Sequence, residues 1–236
     1  MRNLKICVFA YEFPHFKSEY GIKTLLANGF EIAVVIAQPF KKLNVPRSSF
    51  KISPTLPVNG DLQAMCKINN IRYEVTEHDS NQATDAIAAT SANLGVILGA
   101  RILKKTTIKK LKYGILNIHP GAIPENRGLD NFKWSIVNKL RLANTAHLID
   151  EKIDKGDILR IRDTKVLSTD GIYDLYLRHF FSEFSLLVEA LNDFTIGNDI
   201  LIPVASNGTY FSAVPSDIDQ EFEKYFSDFI KKFGQR

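Results

Sequence analysis

Apolar residues along this chain switch between two spacings, and the switches outline its elements. Residues 4–10 form a short, nearly continuous apolar run, the pattern of a buried strand. Residues 18–28 then place Tyr20, Ile22, Leu25 and Leu26 at helical spacing, and Gly29 supplies a stop. Residues 31–37 are a second, β-branched run that ends near Pro39. This strand, helix, strand opening favours a parallel sheet. Pro39, Pro46, Pro54 and Pro57 mark residues 38–60 as an irregular loop. Further along, the pattern predicts helices over 61–69, 81–89, 106–111 and 130–138. It predicts strands over 71–75, 95–98, 115–119, 142–149 and 157–167. Thr169-Asp170-Gly171 opens a long amphipathic helix to about residue 191, with Asp170 as its expected cap and Gly197 as its stop. Short strand-like pieces and a last helix over 218–229 follow, with Lys231 and Lys232 at the end where cations are favoured. The expected architecture is α/β, a predominantly parallel sheet with flanking helices over 1–197, plus a short C-terminal extension over 198–236.

Composition narrows the function classes. The 236 residues carry 45% hydrophobic and 24% charged positions, an ordinary globular balance. A net charge of +4 is too small to predict nucleic-acid binding, and no block of five like charges occurs. Cys7 lies in the first apolar run and Cys66 is far from it, so neither a disulfide framework nor a zinc site is expected. His15, His78, His147 and His179 lack metal-ligand spacing. The first apolar run is too short for a signal peptide or a membrane span, which makes the cytoplasm the expected location. Apolar faces in the C-terminal half offer a surface for a homodimer.

Candidate chemistry gathers at Asn117 and His119. Two positions apart in a strand, their side chains share one side. Open α/β sheets place ligands at the carboxyl ends of their strands, and Pro120 ends this one. Histidine moves protons near neutral pH, and an asparagine amide can donate to an oxygen gaining negative charge. Together they suit acyl transfer to an amine, although a strand-end histidine with a structural role fits the residues too. Asp154, in a glycine-containing turn, would orient His119 if folding brings it near. Asp150 and Asp157 compete for that role, as does a solvated turn.

Three consecutive stretches are similar, in order and spacing, to motifs of the formyltetrahydrofolate-dependent formyltransferases. They are Leu116-Asn117-Ile118-His119-Pro120-Gly121, Pro124-Glu125-Asn126-Arg127-Gly128 and Ile153-Asp154-Lys155-Gly156-Asp157-Ile158. The resemblance includes residues 96–103 and extends more weakly over 1–193. It implies a Rossmann-like fold and formyl transfer from N10-formyltetrahydrofolate, without a metal. It implies that Asn117 stabilises the formyl oxygen, that His119 moves the proton, and that Asp154 orients His119. The folate would lie beside Ile97, Leu98, Gly99, Arg101, Ile102 and Leu103, with backbone groups meeting its pterin edge; a buried strand and turn is the plainer reading of that run. His147, in the resembling segment 145–149, either faces the site or is a buried structural histidine. The absence of GxGxxG after the first strand agrees with a folate carrier in place of a dinucleotide.

The resemblance is strongest to the sugar N-formyltransferase branch, carried by Arg127-Gly128, residues 132–138 and Asn207-Gly208-Thr209-Tyr210-Phe211-Ser212. It implies a nucleotide-linked amino sugar as acceptor, a 3- or 4-amino-dideoxyhexose, with a product used in surface-polysaccharide synthesis. Tyr11, Phe13, His15, Arg127 and Trp134 are the candidate substrate contacts, with Lys41, Lys42 and Arg47 as further phosphate partners. Each has a structural alternative: a surface loop, a salt bridge at Arg127, a core position for Trp134. The sequence Ala10-Tyr11-Glu12-Phe13-Pro14-His15-Phe16 replaces the glycine-rich phosphate loop of the glycinamide ribonucleotide enzymes. About 40 residues after the long helix leave little room for the barrel of the methionyl-tRNA enzymes. Phosphoribosylglycinamide formyl transfer and a noncatalytic small-molecule-binding module remain the alternatives.

Overall fold

The computed structural model describes residues 1–42, 52, 56–58, 60–150, 156–204 and 208–235. The expected opening forms as β1 (Lys5–Tyr11), α1 (Phe16–Ala27) and β2 (Glu31–Gln38). Then come α2 (Leu62–Ile68), β3 (Arg72–Val75), α3 (Asn81–Ala89), β4 (Leu94–Ile97), α4 (Lys105–Ile108) and β5 (Ile115–His119). The second half contains β6 (Arg127–Gly128), α5 (Asn131–Val137), β7 (Ala143–Leu148), β8 (Ile158–Asp163) and α6 (Ile172–Ile196). The chain closes with β9 (Tyr210–Phe211), α7 (Ser216–Gln220) and α8 (Phe222–Phe233).

Seven strands form one sheet in the order β3-β2-β1-β4-β5-β7-β8. The pairings from β3 through β5 are parallel, whereas β5–β7 and β7–β8 are antiparallel. The sheet is thus predominantly parallel, with a two-strand antiparallel flank. Chain order reverses between β1 and β4, which opens a crevice at their carboxyl ends, where α/β sheets hold ligands. The exits of β1, β4 and β5 all lie on that edge.

Parallel strands buried on both faces need apolar side chains on both, which explains the unbroken runs in β1 and β2. One face carries Ile6, Val8 and Val96 against Ile22, Leu25 and the α6 residues Leu187, Leu191 and Phe194. The other carries Cys7, Phe9, Val34 and Ile36 against Ala83, Ala86 and Ile87 of α3. A third cluster joins Phe132 and Ile136 of α5 and Leu175 of α6 to Phe222, Phe226 and Phe229 of α8. The C-terminal extension therefore shares a core with α5 and α6. The helix expected over 218–229 is two helices meeting at Glu221, with α8 carrying its phenylalanines in one stripe.

The expected cap of α6 is corrected. Gly171 occupies the N-cap position, and the Asp174 carboxylate accepts its N–H at 3.0 Å. Asp170 instead accepts the backbone N–H of Leu167 at 2.8 Å and pairs with Arg178 at 2.6 Å. Gly197, with φ 78°, ends the helix in the left-handed conformation that glycine adopts without a Cβ clash.

If α8 packs as an integral part of the domain, Phe229→Ala removes a fully buried ring and should lower unfolding free energy by about 3–5 kcal/mol. Urea denaturation followed by circular dichroism measures this; a loss under about 1 kcal/mol would mean that the extension unfolds separately.

Candidate active site

Asn117 and His119 stand on β5, the last strand before the antiparallel flank, and both face the same side of the sheet. The pairing of β5 with β7 sets Asn117 opposite His147 and His119 opposite Thr145. Directly opposed residues bring their Cβ atoms within about 5.5 Å, so these four polar side chains converge. The amide nitrogen of Asn117 lies 3.2 Å from Nε2 of His147. The rings of His119 and His147 meet edge to face, with centroids 6.3 Å apart. Asn117 is half-buried, whereas His119 is 3% and His147 0% exposed.

The His119 tautomer follows from one contact. Its Nε2 lies 2.9 Å from the carbonyl oxygen of Asn126. A carbonyl oxygen only accepts, so Nε2 carries the hydrogen. In the neutral ring, the lone pair is then on Nδ1.

The segment after β5 is tied down to deliver that carbonyl. Thr145 Oγ1 donates to the carbonyl of Gly121 at 2.7 Å and accepts the N–H of Ile123 at 3.1 Å. The Ile123–Pro124 peptide bond is cis. Asn126, fully buried, donates its amide to the carbonyl of Asn131 at 2.7 Å and to Ser135 Oγ at 2.9 Å. Asn131 returns a bond to the Asn126 side chain at 3.0 Å and to its carbonyl at 3.3 Å. From α6, His179 Nε2 donates to the carbonyl of Pro120 at 3.3 Å, while its Nδ1 faces Thr164 Oγ1 at 2.7 Å. Burial outweighs the opposing pull of the Pro120 carbonyl and, with the charge of Lys17 acting in the same direction, holds His179 down to about 4, so it is neutral near pH 7.

The other sequence candidates fall into three groups. Tyr11, Phe13 and His15 leave β1 as an aromatic set, with Tyr11 and Phe13 stacked at 4.8 Å. They line a cavity of about 180 Å³ shared with Glu12, Glu19, Asp61 and Tyr73. His15 caps α1 by accepting the N–H of Ser18 on Nδ1 at 3.3 Å. Burial first, then Lys17, lowers it to about 4. Burial, helped by Cys66, Glu12 and Asp61, pushes Tyr73 up to about 12.

The second group follows β4. Leu98 and Leu103 are buried, Ile97 and Arg101 are half-buried, and Ile102 is 70% exposed. The N–H groups of Leu98 and Gly99 both donate to the carbonyl of Phe9, at 2.9 and 3.1 Å. A Cβ on Gly99 would sit 2.8 Å from the Tyr11 ring, so the exits of β1 and β4 touch because this residue is glycine. Tyr11 donates its hydroxyl to the carbonyl of Ala100 at 3.1 Å, and Arg101 donates to the carbonyl of Lys41 at 3.1 Å. The N–H groups of Arg101, Ile102 and Leu103 meet no protein acceptor among the described residues.

The third group, Arg127 and Trp134, meets the C-terminal segment. Arg127 is buried and its N–H donates to the carbonyl of Thr209 at 3.0 Å. Trp134 stacks on Phe211 at 4.9 Å and donates Nε1–H to the carbonyl of Ser212 at 2.7 Å. Asp154 and Arg47 lie outside the described residues. Both cysteines are buried, and burial raises each thiol, Cys66 to about 12, so neither supplies a thiolate near neutral pH. Among the described residues, no group of three His, Cys, Asp or Glu side chains could hold a metal ion, and no helix is long and apolar enough to cross a membrane.

Sequence reasoning did not single out Thr145, Asn126, Asn131 or His179. Polar residues in an apolar context were the available signal: Thr145 in a strand, and His179 on the buried stripe of α6.

The formyl transferase family model matches residues 4–191, and the chain belongs to that family. It is 26% identical over 196 residues to a methionyl-tRNA formyltransferase of Solibacter usitatus, covering 82% of this chain and 60% of that protein. It is 25% identical over 178 residues to a GDP-perosamine N-formyltransferase of Brucella melitensis, covering 75% of this chain and 62% of that protein. The chain thus spans about three fifths of the length of these curated relatives. The fold is similar to that of a 4-N formyltransferase from Francisella tularensis, with a TM-score of 0.61 and 20% identity, covering 90% of this chain and 78% of that one.

His179 generates a pH prediction. Unfolded, it takes a proton near pH 6.5; folded, only near 4. Between these values the unfolded chain binds the extra proton, so stability from this group is complete above about pH 6.5 and is lost as pH falls toward 4. The loss is of the order of 3 kcal/mol, and His15 adds to it in the same direction. His179→Gln, which keeps a donor for Pro120, should flatten the acid limb of urea-derived stability against pH. An acid limb as steep as that of the unaltered protein would show that His179 is not held neutral.

Proposed function

We propose that this chain transfers a formyl group from N10-formyltetrahydrofolate to the amine of a nucleotide-linked amino sugar. A 3- or 4-amino-dideoxyhexose is the favoured acceptor, and the reaction is cytoplasmic and serves surface-polysaccharide synthesis. The observation that carries the reading is the convergence of Asn117, His119 and His147 at one strand end, with Nε2 of His119 held on the Asn126 carbonyl so that Nδ1 is the ring nitrogen assigned to the proton transfer.

The chemistry follows from these groups. The unprotonated amine attacks the formyl carbon, a new C–N bond forms, and the carbonyl oxygen gains negative charge. The Asn117 amide donates to that oxygen; one of its hydrogens is directed at His147 Nε2, which limits its rotation. His119 Nδ1 accepts the proton that the amine nitrogen loses. The bond from the formyl carbon to N10 breaks, and the proton passes to N10, leaving tetrahydrofolate and an N-formylated sugar. Asp154 would stabilise the charged imidazole between the two transfers.

The stretch after β4 fits a flat heterocycle. Exposed Ile102 offers an apolar surface beside the unpaired N–H groups of residues 101–103, and such backbone donors can read a pterin edge. The β1 exit supports a distinction among acceptors. Glu12 and Asp61 put negative charge at that cavity, where Glu19 is paired with Lys23, so it suits hydroxyls or a base better than the phosphate of a ribonucleotide amine. The likeness to GDP-perosamine N-formyltransferases points the same way.

The test is a panel assay with N10-formyltetrahydrofolate and nucleotide-linked amino sugars, glycinamide ribonucleotide, methionyl-tRNA, or water alone. Mass spectrometry should show a formylated amino sugar; transfer to glycinamide ribonucleotide alone would overturn the acceptor. His119→Asn should lower kcat by about 10²–10⁴-fold with folding and folate binding retained. Near-normal turnover would remove His119 from the mechanism, and unchanged turnover in Asp154→Asn would remove Asp154.

A further inference from the structure

Residues 127–130 join the two asparagines that hold the His119 carbonyl partner, and this connector pairs with the C-terminal segment. The N–H groups of Arg127 and Leu129 donate to the carbonyls of Thr209 and Phe211 at 3.0 and 2.9 Å, forming the β6–β9 ladder. Gly128 lies at φ 100°, and a Cβ there would be 2.2 Å from the carbonyl oxygen of Phe211. Only glycine lets these backbones approach so closely. Asp130 lies at φ 50°, and its carboxylate accepts the N–H of Val214 at 2.9 Å. On α5, Trp134 stacks on Phe211 and bonds Ser212, while Lys133 pairs with Asp219 at a site where both side chains are buried. The segment is gripped from the residue after Asn126 to beyond Asn131.

We infer that residues 209–219 are a positioning brace for the reaction: by fixing the connector they hold the Asn126 carbonyl where it keeps a hydrogen on Nε2 of His119 and fixes the orientation of the ring. The catalytic role of His119 rests on the function proposed above, but the control of its tautomer does not. The family match ends at residue 191, so the brace lies outside the matched region. The charged pair suits this task, because two buried charges that satisfy each other tolerate little displacement.

Gly128→Ala and Trp134→Leu test the inference, each in the full chain. Gly128→Ala forces the ladder apart; Trp134→Leu removes the stack and the bond to Ser212 from a half-buried position. Circular dichroism checks folding, nitrogen NMR of the imidazole reports the His119 tautomer, and kinetics with N10-formyltetrahydrofolate separates kcat from KM. A brace predicts a fall in the Nε2–H population and a loss of about tenfold or more in kcat, with the KM for the formyl donor within about twofold. An unchanged tautomer with unchanged kcat in a folded variant would overturn it. So would a raised KM for the amine with full kcat in Trp134→Leu, the behaviour of a residue that stacks on the acceptor. If the unaltered protein formylates no amine, the proposed function fails on its own, and the tautomer comparison still decides the brace. If Gly128→Ala does not fold, Trp134→Leu decides by the same two readouts.

Discussion

The bond from His119 Nε2 to the carbonyl of Asn126 is the constraint on which the site depends. A buried imidazole must place its N–H on an acceptor or lose about 1–3 kcal/mol of desolvation energy. Because the acceptor is a backbone carbonyl, it cannot give the hydrogen back, and Nε2 keeps it. Everything around it serves to present that carbonyl: Thr145 from the neighbouring strand, His179 from the long helix, Asn131 from the helix before it. These supports are neutral, His179 because burial denies it a proton. A scaffold of neutral groups leaves the field at His119 to the reacting molecules and to whichever acid faces it.

The change of strand direction at β5 has a chemical consequence. A parallel neighbour would require a long crossover and would place different registers side by side. An antiparallel β7 sets His147 directly across from Asn117 and Thr145 across from His119. The convergent polar groups thus stand on strand backbones, whose hydrogen-bonded ladders hold side chains more rigidly than loops do. Rigid placement is where a proton-transfer site gains most, since a shift of about 1 Å can cost two orders of magnitude in rate.

Legibility in the sequence follows the range of the interactions. Runs such as 4–10 and 31–37 identified their strands because both faces of a parallel sheet demand apolar side chains. Asn117 and His119 were readable because period-two geometry alone puts them on one side. Asp170 looked like a cap because short carboxylates favour that position, yet Arg178 and the N–H of Leu167 drew it away. The two-residue β6 and β9 left no periodic trace; they exist only because residues 81 or more positions apart meet. The pairing of Asn126, from a resembling stretch, with Asn131, from a predicted helix, left no trace for the same reason: their reciprocal bonds form only when the connector is folded back. Trp134 could be named from its aromatic character, but its contact with Phe211 depends on the tail's path.

Electrostatics divides the crevice in a way that bears on the proposed transfer. The β4 side presents unpaired backbone donors and an exposed isoleucine, a surface that prefers a neutral, flat, acceptor-rich edge. The β1 side presents aromatic rings with the carboxylates of Glu12, Glu19 and Asp61 at its cavity. In the proposed reaction these surfaces take separate tasks: the β1 wall meets hydroxyls or a base of the acceptor, while the proton transfer falls to His119 at the end of β5. The contact between Gly99 and Tyr11 keeps the two walls adjacent, so the width of the crevice between them is set by the packing of β1 against β4.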